Sequence, residues 1–224
     1  IISDASCPYT HLELFQAVVF IQLKVTGAEI RYNYVIGDVQ GCFEALKALL
    51  KTIQFDPDQD FIWFAGDLVA RGENSLGALR FIKKLADRGA AATVLGNHDL
   101  TLIACARGFK KAKDKDHTQE VIDAIDGDEL IDWLRKQPLS LSPNAQTLIT
   151  HAGVPCIWNA EKTVALAQEV QKVVGHDDLS VLDSFLTEMY GSQPDLWSDE
   201  LGDHIFRLYL AEWPNVPEEV HVGY

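Results

Sequence analysis

The sequence has no excess of basic residues. Nineteen Lys and Arg stand against 33 Asp and Glu, a formal net charge of −14 over 224 residues. Broad, nonspecific nucleic-acid binding needs clustered cations that displace counterions, so that class is excluded. An anionic small molecule remains open, because a bound metal reverses the local field. The four cysteines, Cys7, Cys42, Cys105 and Cys156, form no C-x-x-C pair. Zinc-ribbon chemistry is therefore excluded, and free thiols in a reducing compartment are expected, with Cys42 a packing residue. No apolar run is long enough to span a bilayer. The most apolar stretch, Leu12 to Leu23, is broken by Glu13, Gln16 and Gln22 and has no basic flank before it. It fits neither a membrane helix nor a signal peptide, so the expected location is the cytoplasm. Internal repeats and low-complexity tracts are also missing.

What is present is a rhythm that starts at residue 33. Tyr34 to Ile36 reads as a short buried strand. Phe43 to Ile53 follows, with Leu46, Leu49, Leu50 and Ile53 at helical spacing. Asp56-Pro57-Asp58 is turn chemistry, and Phe61 to Ala65 is a continuous apolar run expected of a strand covered on both faces. Asn74-Ser75 is placed to cap a helix carrying Leu76, Leu79, Ile82 and Leu85. Ala91 to Leu95 reads as a third strand and Leu100 to Ala106 as a helix. Gly108 to Thr118 reads as a solvated loop, and residues 119–137 as one helix ending before Pro138. Thr147 to Thr150 reads as a fourth strand, with amphipathic helices near 160–174 and 178–190. Strands alternating with helices predict an α/β architecture with a largely parallel sheet.

The predicted strands end in polar clusters: Gly37-Asp38-Val39-Gln40-Gly41, Gly66-Asp67 through Arg71-Gly72, Gly96-Asn97-His98-Asp99 and His151-Ala152-Gly153. In open α/β sheets, ligands bind outside the carboxyl ends of the strands, so these ends are expected to converge. The chemistry suits a pair of divalent cations. Asp38 and Asp67 offer carboxylates, Asn97 an amide oxygen and His151 an imidazole, a mixed set that fits Mn, Fe, Co or Zn better than Ca or Mg. Asp67 is placed to bridge both ions, which would activate a water for attack on phosphorus. Arg71 can hold phosphate oxygens through its rigid fork, and His98 can protonate a leaving oxygen. Gln40 is an oddity, an amide where a metal site would prefer imidazole. Taken singly, Asn97 reads as a cap, His151 as a core histidine and Arg71 as a surface charge. Four matched strand ends together favour a site.

These residues resemble a known family. GD-x-x-G, GD-x-x-x-RG, GNHD and HAG, in this order and spacing, look like the calcineurin-like metallophosphoesterases. In the phosphoprotein phosphatase branch the first motif usually reads GD-x-HG and the second GD-x-V-D-RG. Here Gln40 stands in place of the histidine and Ala70 in place of the second acid. LGNHDL, WLRKQPL, ITHAGV and MYGSQPDLWS resemble the subgroup that hydrolyses dinucleoside tetraphosphates, over residues 33–201. The resemblance implies an α/β metallophosphoesterase fold, a central β-sandwich flanked by helices, incomplete on its C-terminal side. It implies a bacterial hydrolase that cleaves diadenosine tetraphosphate to two ADP. Two divalent ions are implied, Mn or Co first, with Fe or Zn as alternatives. Asp38, Gln40 and Asp67 would surround the first ion. Asp67, Asn97 and His151 would hold the second. His98 would be the acid, with Arg71 and Asn97 on the phosphate. The partner would be a small dinucleoside polyphosphate, not nucleic acid and not a membrane.

The chain departs from the family pattern late in the sequence. The family supplies one more histidine, in a Gly-His pair, to the second ion. Downstream of His151 only Gly175-His176 has that form, at an expected helix end, while His204 and His221 read as surface residues. The chain also lacks an initiator Met. Residues 1–32 and 202–224 share neither the rhythm nor the family words, which predicts a fragment or a coding sequence joined to unrelated ends. Three alternatives stand beside the tetraphosphatase reading: a serine/threonine protein phosphatase, a broader phosphodiester hydrolase, and a catalytically weak remnant that binds nucleotide or metal without turnover. Ala70 favours the tetraphosphatase over the protein phosphatase, which would carry Asp there.

Overall fold

The computed structural model describes residues 19–21, 32–155 and 158–189. A four-stranded sheet runs in the order β1-β2-β3-β4, formed by β1 (Val19–Ile21), β2 (Tyr32–Ile36), β3 (Asp60–Phe64) and β4 (Ala91–Thr93). β2, β3 and β4 are mutually parallel, and β1 lies antiparallel to β2. Parallel neighbours need a crossover connection. Here α1 (Phe43–Thr52) joins β2 to β3, and α2 (Ser75–Asp87) joins β3 to β4. The consequence is that three strands end at one edge of the sheet. Asp38, Asp67 and Asn97 each follow one of those ends.

Both crossover helices form for reasons visible in their residues. α1 buries Leu46 and Leu50, one turn apart. α2 buries Ala78, Leu79, Ile82 and Leu85, and its first turn is capped by the Asn74 side chain accepting from the Gly77 N–H at 2.6 Å. These faces close on Ile36, Ile62 and Phe64, all fully buried. Burying each such side chain contributes about 1.5–3 kcal/mol. α3 (Asn97–Ala106) adds Leu100, Leu102 and Ile103 to the same core.

Three local expectations differ from the structure. β3 is not covered equally on both faces. Ile62 and Phe64 are buried, whereas Phe61 and Trp63 are half-buried, their rings 4.5 Å apart. Trp63 Nε1 donates to Asn33 Oδ1 at 3.1 Å, so this face has polar as well as apolar contacts. The helix expected over 119–137 is broken into α4 (Gln119–Ile122) and α5 (Gly127–Arg135). The break lets α5 pack tightly on the end of α4: a Cβ on Gly127 would lie 2.4 Å from the Val121 carbonyl oxygen. Finally, β6 (Thr147–Thr150) does not join the parallel sheet. It pairs antiparallel with β5 (Ser140–Asn144), a strand whose Pro143 reads as loop in sequence. The pairing shifts register between Leu141 and Asn144, an irregularity of the kind at which strand proline is tolerated. Asn144 Oδ1 accepts from the Gln146 N–H at 2.8 Å and closes the turn.

α6 (Ala160–Val174) and α7 (Leu179–Glu188) match the two amphipathic patterns near 160–174 and 178–190. Arg135 ties α6 to α5 by donating to the Val174 and His176 carbonyls at 3.3 and 2.8 Å. The two sheets meet through the ends of their strands. Leu95 N donates to the Pro138 carbonyl at 2.8 Å, just before β5. His151, just after β6, reaches the Ala65 carbonyl beyond β3.

Candidate metal centre

The loops after β2 and β3 are laced together by backbone hydrogen bonds. Gln40 N donates to Asp67 O at 2.7 Å, Gly41 N to Leu68 O at 3.0 Å, Gly72 N to Gln40 O at 2.6 Å and Asn74 N to Gly41 O at 2.9 Å. Ser75 Oγ accepts from the Ala70 N–H at 3.0 Å. This lacing holds an unusual backbone. Gln40, Asp67, Ala70 and Arg71 all have positive φ, at 46°, 50°, 81° and 61°. For non-glycine residues that region costs about 1–3 kcal/mol each and persists only where surroundings impose it. The side chains of Gln40, Asp67 and Arg71 are thereby aimed by the fold.

α3 supplies the third strand end. Its first residues are Asn97, His98 and Asp99. Asp67, only 2% exposed, sits against this helix start, and its Oδ1 accepts from the His98 N–H at 2.8 Å. Gly96 makes that approach feasible, since a Cβ there would lie 2.1 Å from Asp67 Oδ1. Asp99 is fully buried and spans two loops. Its Oδ1 accepts from Leu68 N and its Oδ2 from Gly96 N, both at 2.9 Å. Burial, reinforced by the nearby charge of Asp67, pushes the Asp99 carboxyl up to about 7, although the two N–H donors and His151 oppose the shift. Asp99 is the residue the sequence reading passed over. In the sequence it stands only as the last letter of GNHD, an acid in the first turn of a helix with no role of its own.

His151 closes the centre. Its Nδ1 lies 2.9 Å from the Ala65 carbonyl, an acceptor, so Nδ1 carries the proton. Nε2 then presents a lone pair, 3.1 Å from Asn97 Oδ1 and 3.5 Å from Asp67 Oδ1. Three acceptor atoms converge with no proton between them. Ligand atoms about 2.1 Å from a transition ion stand roughly 3–3.5 Å apart, so a divalent cation fits this set. Asp38, Asp67 and His151 also offer ligand atoms within 4.8 Å of one another. Burial raises the Asp38 carboxyl above its usual range; His151, whenever it is protonated, works against this, and the charge of Asp67 adds to it.

Gln40 lies between the two acids. Its Nε2 donates to Asp38 Oδ2 at 3.2 Å and to Asp67 Oδ2 at 3.4 Å. His98 is half-buried, with Nε2 4.0 Å from Asp67 Oδ2. Arg71 is exposed and makes no ion pair among the described residues, but it is close enough to ease the charge on Asp38. Asp38, Gln40, Asp67, Asn97, His98 and His151 are thus brought together, with Arg71 at the rim. Cys42 is buried packing, as expected, and Cys105 is a free thiol. His176 lies elsewhere, its Nδ1 accepting from the Asp178 N–H at 3.0 Å beyond the end of α6. Cys7, Cys156, His204 and His221 lie outside the described residues, as does most of the MYGSQPDLWS stretch. No helix among the described residues is long and apolar enough to cross a membrane.

Comparison with known proteins agrees with this geometry. The calcineurin-like phosphoesterase family model matches residues 34–218. A symmetrical bis(5'-nucleosyl)-tetraphosphatase of Marinomonas sp. is 48% identical over 170 residues, covering 75% of this chain and 60% of that protein. Enzymes of the same name from Methylococcus capsulatus and Photobacterium profundum are each 51% identical, covering 75% of this chain and 58% and 60% of their own lengths. The chain therefore spans about three-fifths of the length of these relatives. The crystal structure of a cold-active protein-tyrosine phosphatase from a psychrophilic Shewanella species shares the fold, with a TM-score of 0.50 at 16% identity over 79% of this chain and 62% of that one. With its motifs, fold and acceptor cluster in agreement with the matched model, the chain belongs to the calcineurin-like phosphoesterase family.

Proposed function

We propose that this chain hydrolyses diadenosine tetraphosphate symmetrically, to two ADP, at the centre formed by Asp38, Asp67, Asn97 and His151. The observation that carries the reading is the convergence of ligand atoms from separate strand ends: those of Asp38, Asp67 and His151 lie within 4.8 Å of one another, with Asn97 Oδ1 3.1 Å from His151 Nε2. The substrate follows from relatives about half identical in sequence. Two divalent cations, Mn or Co first and Fe or Zn as alternatives, would supply Lewis acidity toward a phosphoryl oxygen and lower the pKa of water. Asp38, Gln40 and Asp67 would hold one, and Asp67, Asn97 and His151 the other.

The chain's own groups have distinct tasks. Arg71, exposed at the rim on a fixed left-handed turn, grips phosphate oxygens through two parallel N–H donors. Asn97 donates its amide N–H to the same phosphate while its oxygen faces His151. His98, anchored by its backbone to Asp67, presents its imidazole to the leaving ADP oxygen and gives it a proton. Asp99 keeps the two loops in register. Ala70 is buried where a protein phosphatase would carry an acid, which favours the nucleotide over a phosphoprotein. This reading places the chain in the cytoplasm, with its nucleotide substrate.

The test is to supply the purified chain with Mn²⁺ or Co²⁺ and either diadenosine tetraphosphate or a phosphopeptide, and to separate products by chromatography. ADP as sole product is expected. ATP plus AMP means asymmetric cleavage and overturns the proposal. Phosphopeptide turnover favours the protein phosphatase. Binding of nucleotide with no turnover favours the remnant.

A further inference from the structure

We infer that the two cation positions are unequal, and that Gln40 is the residue that sets the difference. The inference rests on the metal-dependent reading above. At the position between Asp67, Asn97 and His151, every group already faces inward as an acceptor. No side chain has to turn for an ion to enter. At the position between Asp38 and Asp67 the situation is reversed. The Gln40 amide sits there with its N–H₂ end toward both carboxylates, 3.2 and 3.4 Å away. The orientation is dictated by charge, since an amide oxygen turned toward two carboxylates would be repelled by both. The amide is therefore a clamp that stands in for a cation.

Loading the Asp38 position requires that clamp to open. The Gln40 side chain must rotate to present Oε1 and give up both hydrogen bonds, or swing out and leave the ion one ligand short. Rotation is confined to the side chain, because the backbone of Gln40 is held at φ 46° by its bonds to Asp67 and Gly72. Each route weakens this position relative to its neighbour, whose three groups need no rearrangement even with the family's late histidine unmatched there. The Asp67–Asn97–His151 position fills first, and the Asp38–Gln40–Asp67 position fills second.

Isothermal titration of Mn²⁺ into the metal-free chain tests this, comparing wild type with Gln40→His, Gln40→Glu and His151→Ala. Two binding steps are expected in the wild type, with dissociation constants at least tenfold apart. Gln40→His should tighten the weaker step about tenfold and leave the stronger within threefold. Histidine tolerates the left-handed backbone, so this variant preserves the loop. Gln40→Glu supplies acceptor oxygens in the same shape and should move the same step the same way. His151→Ala should remove the stronger step. Equal steps in the wild type, an unchanged weaker step in both Gln40 variants, or a change confined to the stronger step would overturn the inference. Unequal Mn²⁺ binding without hydrolysis would sink the proposed activity and leave this inference standing. Hydrolysis with two equal steps would do the reverse.

Discussion

The buried Asp99 carboxyl makes the metal-free protein sensitive to pH in a direction that can be worked out. Asp99 bridges Leu68 N and Gly96 N, and it faces Asp67 and His151 from the neighbouring loops. Desolvation dominates and raises its carboxyl from 3.8 to about 7. Above pH 3.8 the unfolded chain releases this proton while the folded chain keeps it. The unfolded state is thus favoured progressively as pH rises, until the folded carboxyl also ionises near 7. For one proton and these two values, about 2 kcal/mol of stability is lost between pH 5 and pH 7, and little more by pH 8. Asp99→Asn has no proton to release. It keeps one acceptor, and its N–H₂ faces a backbone N–H, a penalty independent of pH. The assay is urea unfolding in EDTA at pH 5, 6, 7 and 8, on wild type and Asp99→Asn. The variant should be the less stable at pH 5, and the gap should narrow by about 2 kcal/mol at pH 7. Adding Mn²⁺ should flatten the slope, because a cation near Asp67 favours the ionised Asp99. A gap that does not change with pH would refute the reasoning, since it would mean that Asp99 ionises normally despite its burial.

Other outcomes follow from the same structure. Gly96→Ala places a methyl 2.1 Å from Asp67 Oδ1 and against its backbone, so Mn²⁺ binding measured by titration should fall at least tenfold, with a stability loss of about 1–3 kcal/mol. Leu79→Ala opens a cavity in the core under α2 and should cost about 2–5 kcal/mol in urea unfolding, while Mn²⁺ affinity stays unchanged. Arg71→Ala removes a charge-assisted contact worth about 1.5–3 kcal/mol, so kcat/KM should drop roughly 10- to 150-fold with Mn²⁺ affinity intact. Ser75→Ala leaves the buried Ala70 N–H without its acceptor and should cost about 1–3 kcal/mol, read by thermal unfolding.

Much of the fold is legible in the residues because it is local. Leu46 and Leu50, or Leu79 and Ile82, lie one helical turn apart and define a face whatever the rest of the chain does. Asn74 caps α2 through a bond three residues long. The missed elements have non-local causes. β5 exists only because β6 is there to pair with it, and its Ser-Pro-Asn composition argues for a loop when read alone. The break between α4 and α5 comes from the close approach of Gly127 to Val121, which no periodicity records. At the site, Asp38, Asp67, Asn97 and His151 are readable because each follows a strand. Asp99 was not, because the partner that makes it a bridge, Leu68, lies on a different loop.

By itself the sequence determined that strand ends would carry acids, an amide and an imidazole, since strand, turn and ligand are contiguous in the chain. It also determined the family, through words whose spacing is a property of the chain alone. Only the tertiary structure decided how those groups face one another. His151 takes its tautomer from Ala65, 86 residues away, and Asp99 meets Leu68 across 31 residues. Whether Gln40 offers an oxygen or an N–H₂ group depends on which charges stand beside it. That is settled when Asp67, 27 residues further along, folds in to join Asp38.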